Sequence, residues 1–201
     1  GYFAYLCSIM KIKIEKATPD MASHIASLIM EAMNAECCQN FAGPKHTLVD
    51  FHRMMTRLVE MEDSQYSYRN VLAAYTSGGI LAGICVAYDG GKLHQLRRRF
   101  YEAALEAFGI DYTGMTDETE DGEFYIDSLA VSCNFRGKGI ASQLLQATIE
   151  RGAELGIPAV GLLVDKGNPK AEALYQRLGF VYVNDSTWGG HPMRHLQYKQ
   201  D

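Results

Sequence analysis

The stretch NFRGKGIASQLL, Asn134–Leu145, sets an arginine, a lysine and two glycines at the entry of an amphipathic run. Ahead of it, EFYIDSLAVS, with Phe124, Tyr125, Ile126 and Val131, reads as a strand, so the stretch is the turn from a strand into a helix. Glycine lets a backbone approach a ligand closely, and the first free N–H groups of a helix point at whatever lies there. An anionic group such as a pyrophosphate suits that position. The spacing is neither GxxxxGK[ST] nor GxGxxG, which disfavours a nucleoside triphosphatase and a dinucleotide fold. A glycine turn that only tightens the connection is the competing reading of RGKG alone.

Working outward, KIKIEK predicts a first strand with Ile12 and Ile14 on one face, and TPD starts a helix. Ile25, Leu28, Ile29 and Met33 follow at helical spacing, and HTLVDFHRMMTRLVEME repeats the pattern after Gly43-Pro44. NVLAAYT and ILAGICVAY, joined by SGG, read as a hairpin of buried strands. KLHQLRRRFYEAALEAFG predicts an amphipathic helix with Leu93, Leu96, Phe100, Ala104, Leu105 and Phe108 inward and its basic residues outward. IDYTGMTDETEDGE then reads as an exposed acidic loop. Downstream come the helix begun by RGKG, the strand IPAVGLLVD, the helix NPKAEALYQRLG, and two last strands in FVYVNDS and HLQYK. Hairpins mixed with βαβ crossovers imply an α/β fold, one domain over residues 10–201 with a mixed, mostly antiparallel sheet flanked by helices.

The 201 residues carry a formal net charge of −5, which argues against nucleic acid as a partner, and no apolar run is long enough to suggest a membrane span. GYFAYLCSIM at the head lacks the basic start and small-residue cleavage site of a secretory signal, so residues 1–9 read as a leader or extension ahead of Met10. Five cysteines without ligand spacing fit reduced thiols in a cytoplasmic protein, with Cys37 and Cys38 as core fillers. The histidines show no metal spacing, and no metal is expected.

The second decisive segment is DKGNPKAEALYQRLGF, with Asn168, Ala171, Tyr175, Gly179 and Phe180 at fixed offsets. Together with Arg136–Ala141 it resembles the GCN5-related N-acetyltransferase (GNAT) superfamily, whose signature pairs R/Q-x-x-G-x-G/A after a central strand with N-x-x-A-x-x-x-Y-x-x-x-G-F. The resemblance is strongest over Glu123–Val183, and Ala141 takes the last position of the first motif.

The resemblance implies a splayed central parallel strand pair and an acetyl-CoA-dependent N-acetyltransferase that moves the acetyl group to a primary amine by direct attack in a ternary complex. It assigns the backbone of Arg136, Gly137, Lys138, Gly139, Ile140 and Ala141 to the pyrophosphate of acetyl-CoA. The backbone groups of Leu129, Ala130 and Val131 would meet the pantetheine arm as an added strand does. An N–H near Leu129 would also stabilise oxygen charge. Asn168 and Ala171 would join the cofactor site, and Tyr175 would protonate the departing thiolate. A buried structural tyrosine is the plainer reading of Tyr175. Homodimers are a family-level expectation.

An ammonium must lose its proton before it can attack a thioester, so a base or a water chain is required. By period two, residues 123, 125, 127, 129 and 131 share one face, which nominates Asp127 first and Glu123 second. Asp89–Gly122 reads as an insertion near the acceptor entrance, either a substrate lid or a packing element. Its acidic run suits a cationic amine, carried on a small molecule or on a peptide. A non-catalytic CoA-binding module and a protein N-terminal or lysine acetyltransferase remain as other readings.

Overall fold

The computed structural model describes residues 11–201; the expectation for residues 1–9 falls outside them. Strand β1 (Ile12–Lys16) leads through Pro19 into helix α1 (Ala22–Met33), which buries Ile25, Leu28, Ile29 and Met33. The helix does not run on past Met33, because the chain breaks at Asn34. Its φ of 72° ends α1, and its side-chain oxygen accepts the Cys37 N–H at 2.8 Å to start α2 (Ala35–Ala42). Asparagine tolerates that left-handed φ better than most residues, and its short oxygen supplies the cap. Helix α3 (Leu48–Glu60) opens on a reciprocal cap between Thr47 and Asp50 and buries Phe51, Met54, Met55, Leu58 and Val59. Each such side chain contributes roughly 1.5–3 kcal/mol of burial.

Strands β2 (Val71–Thr76) and β3 (Leu81–Asp89) form the expected hairpin, and α4 (Leu93–Phe108) follows. The inward stripe of α4 differs from the one expected. Leu105 is exposed, while Arg97 is among the most deeply buried side chains of the protein. The stripe runs 93, 97, 100, 104, 108, and residue 105 lies a third of a turn off it.

The remaining elements are β4 (Glu123–Val131), α5 (Ile140–Glu154), β5 (Ala159–Asp165), α6 (Pro169–Arg177), β6 (Val181–Trp188) and β7 (His191–Lys199). The sheet order is β1-β2-β3-β4-β5-β7-β6, with β4–β5 the parallel pair and every other pairing antiparallel. Helices α1 to α4 cover one face, around Phe51, Ile84 and Phe100; α5 and α6 cover the other, around Ile126, Leu144 and Phe180.

Two irregularities shape the centre of this sheet. Strands β4 and β5 pair only from Glu123↔Ala159 to Ile126↔Leu162, so from Asp127 onward β4 has no partner on its β5 side. In the β3–β4 register Val86 faces Ser128 while Ala87 faces Ile126, which leaves Asp127 as an extra, bulged residue. The bulge overturns the period-two reading of β4. Tyr125 packs on the α1–α4 face with Tyr88, whereas Leu129 and Val131 pack on the α5 face.

Candidate functional site

Where β4 and β5 part, a cleft of about 330 Å³ opens through the sheet. On the α5 side it is lined by Leu129, Val164, Asn168, Ala171 and Tyr175; on the α1–α4 side by Met33, Cys37, Glu118, Tyr125 and Trp188. Asp127, at the bulge, stands between the two halves. The break in strand pairing therefore joins both faces of the sheet in one slot.

The α5 half is built mainly from backbone. Gly137 and Gly139 adopt φ of 73° and 76°, the left-handed region that other residues enter at a cost, and a Cβ on either would meet nothing within 4 Å. The turn is thus open, and no side chain caps the first amides of α5. These amides fit an anion by the physics of a helix N-terminus. The two cationic side chains turn elsewhere. Arg136 Nε donates to Val131 O at 3.1 Å and its guanidinium lies 3.6 Å from Glu31, while Lys138 rests over the Phe135 ring. Asn168 caps α6, its Oδ1 accepting the Ala171 N–H at 3.1 Å. Ala130, by contrast, is buried among the core residues of the other face.

Tyr175 reaches the cleft from α6 and packs edge-on against Phe180, 6.0 Å between centroids. Burial, with the nearby Cys85 thiol adding to it, pushes its phenol up to about 12. It stays a neutral O–H donor at every physiological pH.

The other half is built from side chains. Tyr88 donates its hydroxyl to Asp127 Oδ2 at 2.9 Å, and Ser128 Oγ donates to Oδ1 at 2.9 Å. Burial, and then the charge of Glu118, raise the Asp127 carboxyl to about 7. Glu118 belongs to the loop expected to be solvated, yet its side chain is only 6% exposed. It accepts from Arg97 Nη2 at 3.1 Å, from Gln65 Nε2 at 3.3 Å and from the Tyr125 hydroxyl at 3.3 Å. Arg97, 1% exposed, also donates to the carbonyl of Thr116 at 3.2 Å and lies 3.5 Å from Asp117, pinning the loop to α4.

Glu123, the second choice as base, is not in the cleft. Its side chain crosses β5 over Gly161, where a Cβ would collide with the carboxylate, and reaches β7. There Oε2 meets His195 Nε2 at 2.6 Å and Gln197 Nε2 at 2.7 Å, and Thr119 donates to Oε1 at 2.8 Å. Cys37 does line the cleft, but burial and Glu36 raise its thiol to about 11, far from a nucleophilic thiolate. No group of three or more His, Cys, Asp or Glu is placed to hold a metal among the described residues. No helix there is long and apolar enough to cross a membrane.

Tyr88, Arg97 and Trp188 escaped the sequence reading. Arg97 had a signal, since an arginine on the 93-97-100-104-108 stripe must be buried with a partner.

A split parallel pair with a glycine-turned helix start beside it is what the resemblance to the GNAT superfamily implied. Residues 48–180 match the family model described as the acetyltransferase (GNAT) family, and the chain belongs to that family. A crystal structure of an acetyltransferase superposes with a TM-score of 0.76 at 28% identity, over 93% of this chain and 98% of that one. A mycothiol acetyltransferase of Propionibacterium freudenreichii is 37% identical over 96 residues, 45% of this chain and 30% of the relative. The spermine/spermidine N(1)-acetyltransferase of Bacillus subtilis is 27% identical over 94 residues, 45% of this chain and 62% of the relative. The chain thus spans from under a third to under two thirds of these curated relatives.

Proposed function

We propose that the protein transfers an acetyl group from acetyl-CoA to a primary amine, with both substrates in the slot at once. The observation that carries this reading is the slot itself, which offers a backbone-lined half and a carboxylate-bearing half on opposite faces of one sheet. When bound, acetyl-CoA supplies the activated acetyl thioester. The open amides from Gly137 to Ala141 would hold its pyrophosphate, and the free edge of β4 at Leu129 with Asn168 its pantetheine arm.

Asp127 Oδ2 receives the proton of the acceptor ammonium. An ordinary aspartate would do this poorly: from an alkylammonium near pKa 10.4 to a carboxylate near 3.9 the transfer runs about 9 kcal/mol uphill. Raised to about 7, the same group accepts the proton at a cost of roughly 4–5 kcal/mol, within reach of a catalysed step. Tyr175 would hold a phenolic proton for the departing sulfur, and a backbone N–H near Leu129 would stabilise the oxygen on which charge develops. The thiol of Cys37, held neutral, takes no part.

The test is direct. Acetyl-CoA at a hundred times its dissociation constant stabilises the folded state by about 2.7 kcal/mol, which a melting curve reads as a rise of several degrees. Thiol release must then depend on an added amine. A chain that binds acetyl-CoA but releases no thiol with any amine is a binding module.

A further inference from the structure

We infer that the acceptor carries a single cationic nitrogen on an apolar body, as distinct from a polyamine. This rests on the reading of the slot as the acetyl-transfer site and narrows its substrate.

Three carboxylates line the slot: Glu118, Asp127 and Asp165. Glu118 is neutralised by the buried Arg97 at 3.1 Å, a charge-assisted contact inside the protein that no incoming ammonium displaces cheaply. Asp165 accepts the Gly167 N–H at 2.6 Å, lies 3.9 Å from His191, and belongs to the turn that leads into α6 on the α5 side. Asp127 alone has only neutral hydroxyl partners, and it forms no ion pair among the described residues. Of the acidic run read as suiting a cationic amine, Asp117 lies beside His94 and Arg97, Glu123 is held by His195 and Gln197, and Glu120 and Asp121 do not line the slot. On the α1–α4 side of the slot one carboxylate is left to meet one ammonium.

The slot also carries polar residues, Asn34, Asn168 and His191 among them, but beside Asp127 it has an apolar wall. Met33 from α1, Cys37 from α2, Leu163 from β5, Trp188 at the end of β6 and Met193 from β7 all line the slot. The Trp188 ring lies against Phe41, 6.0 Å between centroids, so it is supported from behind. A second ammonium on the acceptor would have to be desolvated against these groups, whereas an aliphatic or aromatic body gains about 25 cal/mol per Å² it buries there. Met33, Cys37, Trp188 and Met193 all lie outside residues 48–180, so all of this wall but Leu163 is built by parts of the chain beyond the matched family segment.

The experiment compares thiol release by the full chain with 2-phenylethylamine, a leucyl tetrapeptide, ethylamine and spermidine. One of the first two should exceed spermidine and ethylamine at least tenfold in kcat/KM, and whichever leads tells whether the apolar amine sits on a small molecule or a peptide N-terminus. Trp188→Ala should bring the preferred amine down about tenfold toward ethylamine, with Trp188→Leu restoring part of it. Trp188 is the chain's one tryptophan, so its emission in the unmutated protein reports the same contact without a variant. With CoA present, the apolar amines should shift it saturably and spermidine should not. Spermidine as the best substrate, or as the ligand that moves the emission, overturns the inference while acetyl-CoA still raises the melting temperature. Loss of that melting shift overturns the parent reading as well.

Discussion

The two halves of the slot are made of different material. On the α5 side the work falls to backbone, in two left-handed glycines, an uncapped helix start and a strand edge released by the splay. On the α1–α4 side it falls to side chains drawn from β3, α4, the loop after it, and β4, held in one chain of contacts from Arg97 through Glu118 and Tyr88 to Asp127. Backbone sites depend on local conformation and tolerate surrounding change. Side-chain sites depend on charges meeting across long sequence separations, and one substitution is felt throughout the network.

Replacing Asp127 by asparagine tests this contrast most severely. It removes the proposed proton acceptor and should lower kcat/KM by about 10²–10⁴-fold, leaving the melting shift with acetyl-CoA intact. The unmutated enzyme should gain kcat/KM as pH rises through about 7, where Asp127 loses its proton, and the variant should lack that limb. Stability should move the other way. A carboxyl whose folded pKa is raised favours folding below its unfolded pKa and loses that advantage as pH climbs toward the folded value. Asp127→Asn should therefore melt progressively higher than the unmutated protein between pH 4 and 7.

Gly161→Ala comes next and strikes the support beneath the slot. The new Cβ would displace the Glu123 carboxylate from His195 and Gln197, leaving a buried charge without its partners. A loss of about 3 kcal/mol in urea unfolding is expected. An unchanged midpoint would mean that β4, β5 and β7 hold together without this clasp.

Tyr175→Phe should cost roughly 10–100-fold in kcat with little change in KM for acetyl-CoA, because only the proton donor to sulfur is lost. If kcat is unaffected, Tyr175 is a packing residue against Phe180. Smallest is Gly139→Ala, for which nothing crowds the new methyl and only the left-handed φ opposes it. About 1 kcal/mol of stability should be lost, and acetyl-CoA binding should weaken severalfold if the turn must relax to accommodate it.

Much of the fold was legible in the chain. The alternation in KIKIEK, the stripes of α1 and α3, the SGG hairpin and the strand-glycine-helix turn each express their structure within a dozen residues. The glycine turn and the asparagine cap of the α5 half were legible for the same reason, since both are local. The α1–α4 half was not. The bulge at Asp127 reverses which face the rest of β4 presents, and it is visible only as a register shift against β3. Glu123 stood as the second candidate base on the same strand face until Gly161 was seen to let it lie across β5 toward β7. Glu118 looked solvated until Arg97, 21 residues before it, was found beneath.

The sequence by itself determined the strand-glycine-helix turn, the asparagine-capped helix that follows it, and hence the family and the place where an anion fits. Backbone conformation answers to neighbours a few residues away, and glycine, proline and asparagine announce it. Tertiary structure alone decided which carboxylates were already paired and which one was left beside an apolar wall. Charge and burial depend on what lies across space, and the partners that set them are scattered from Met33 to His195.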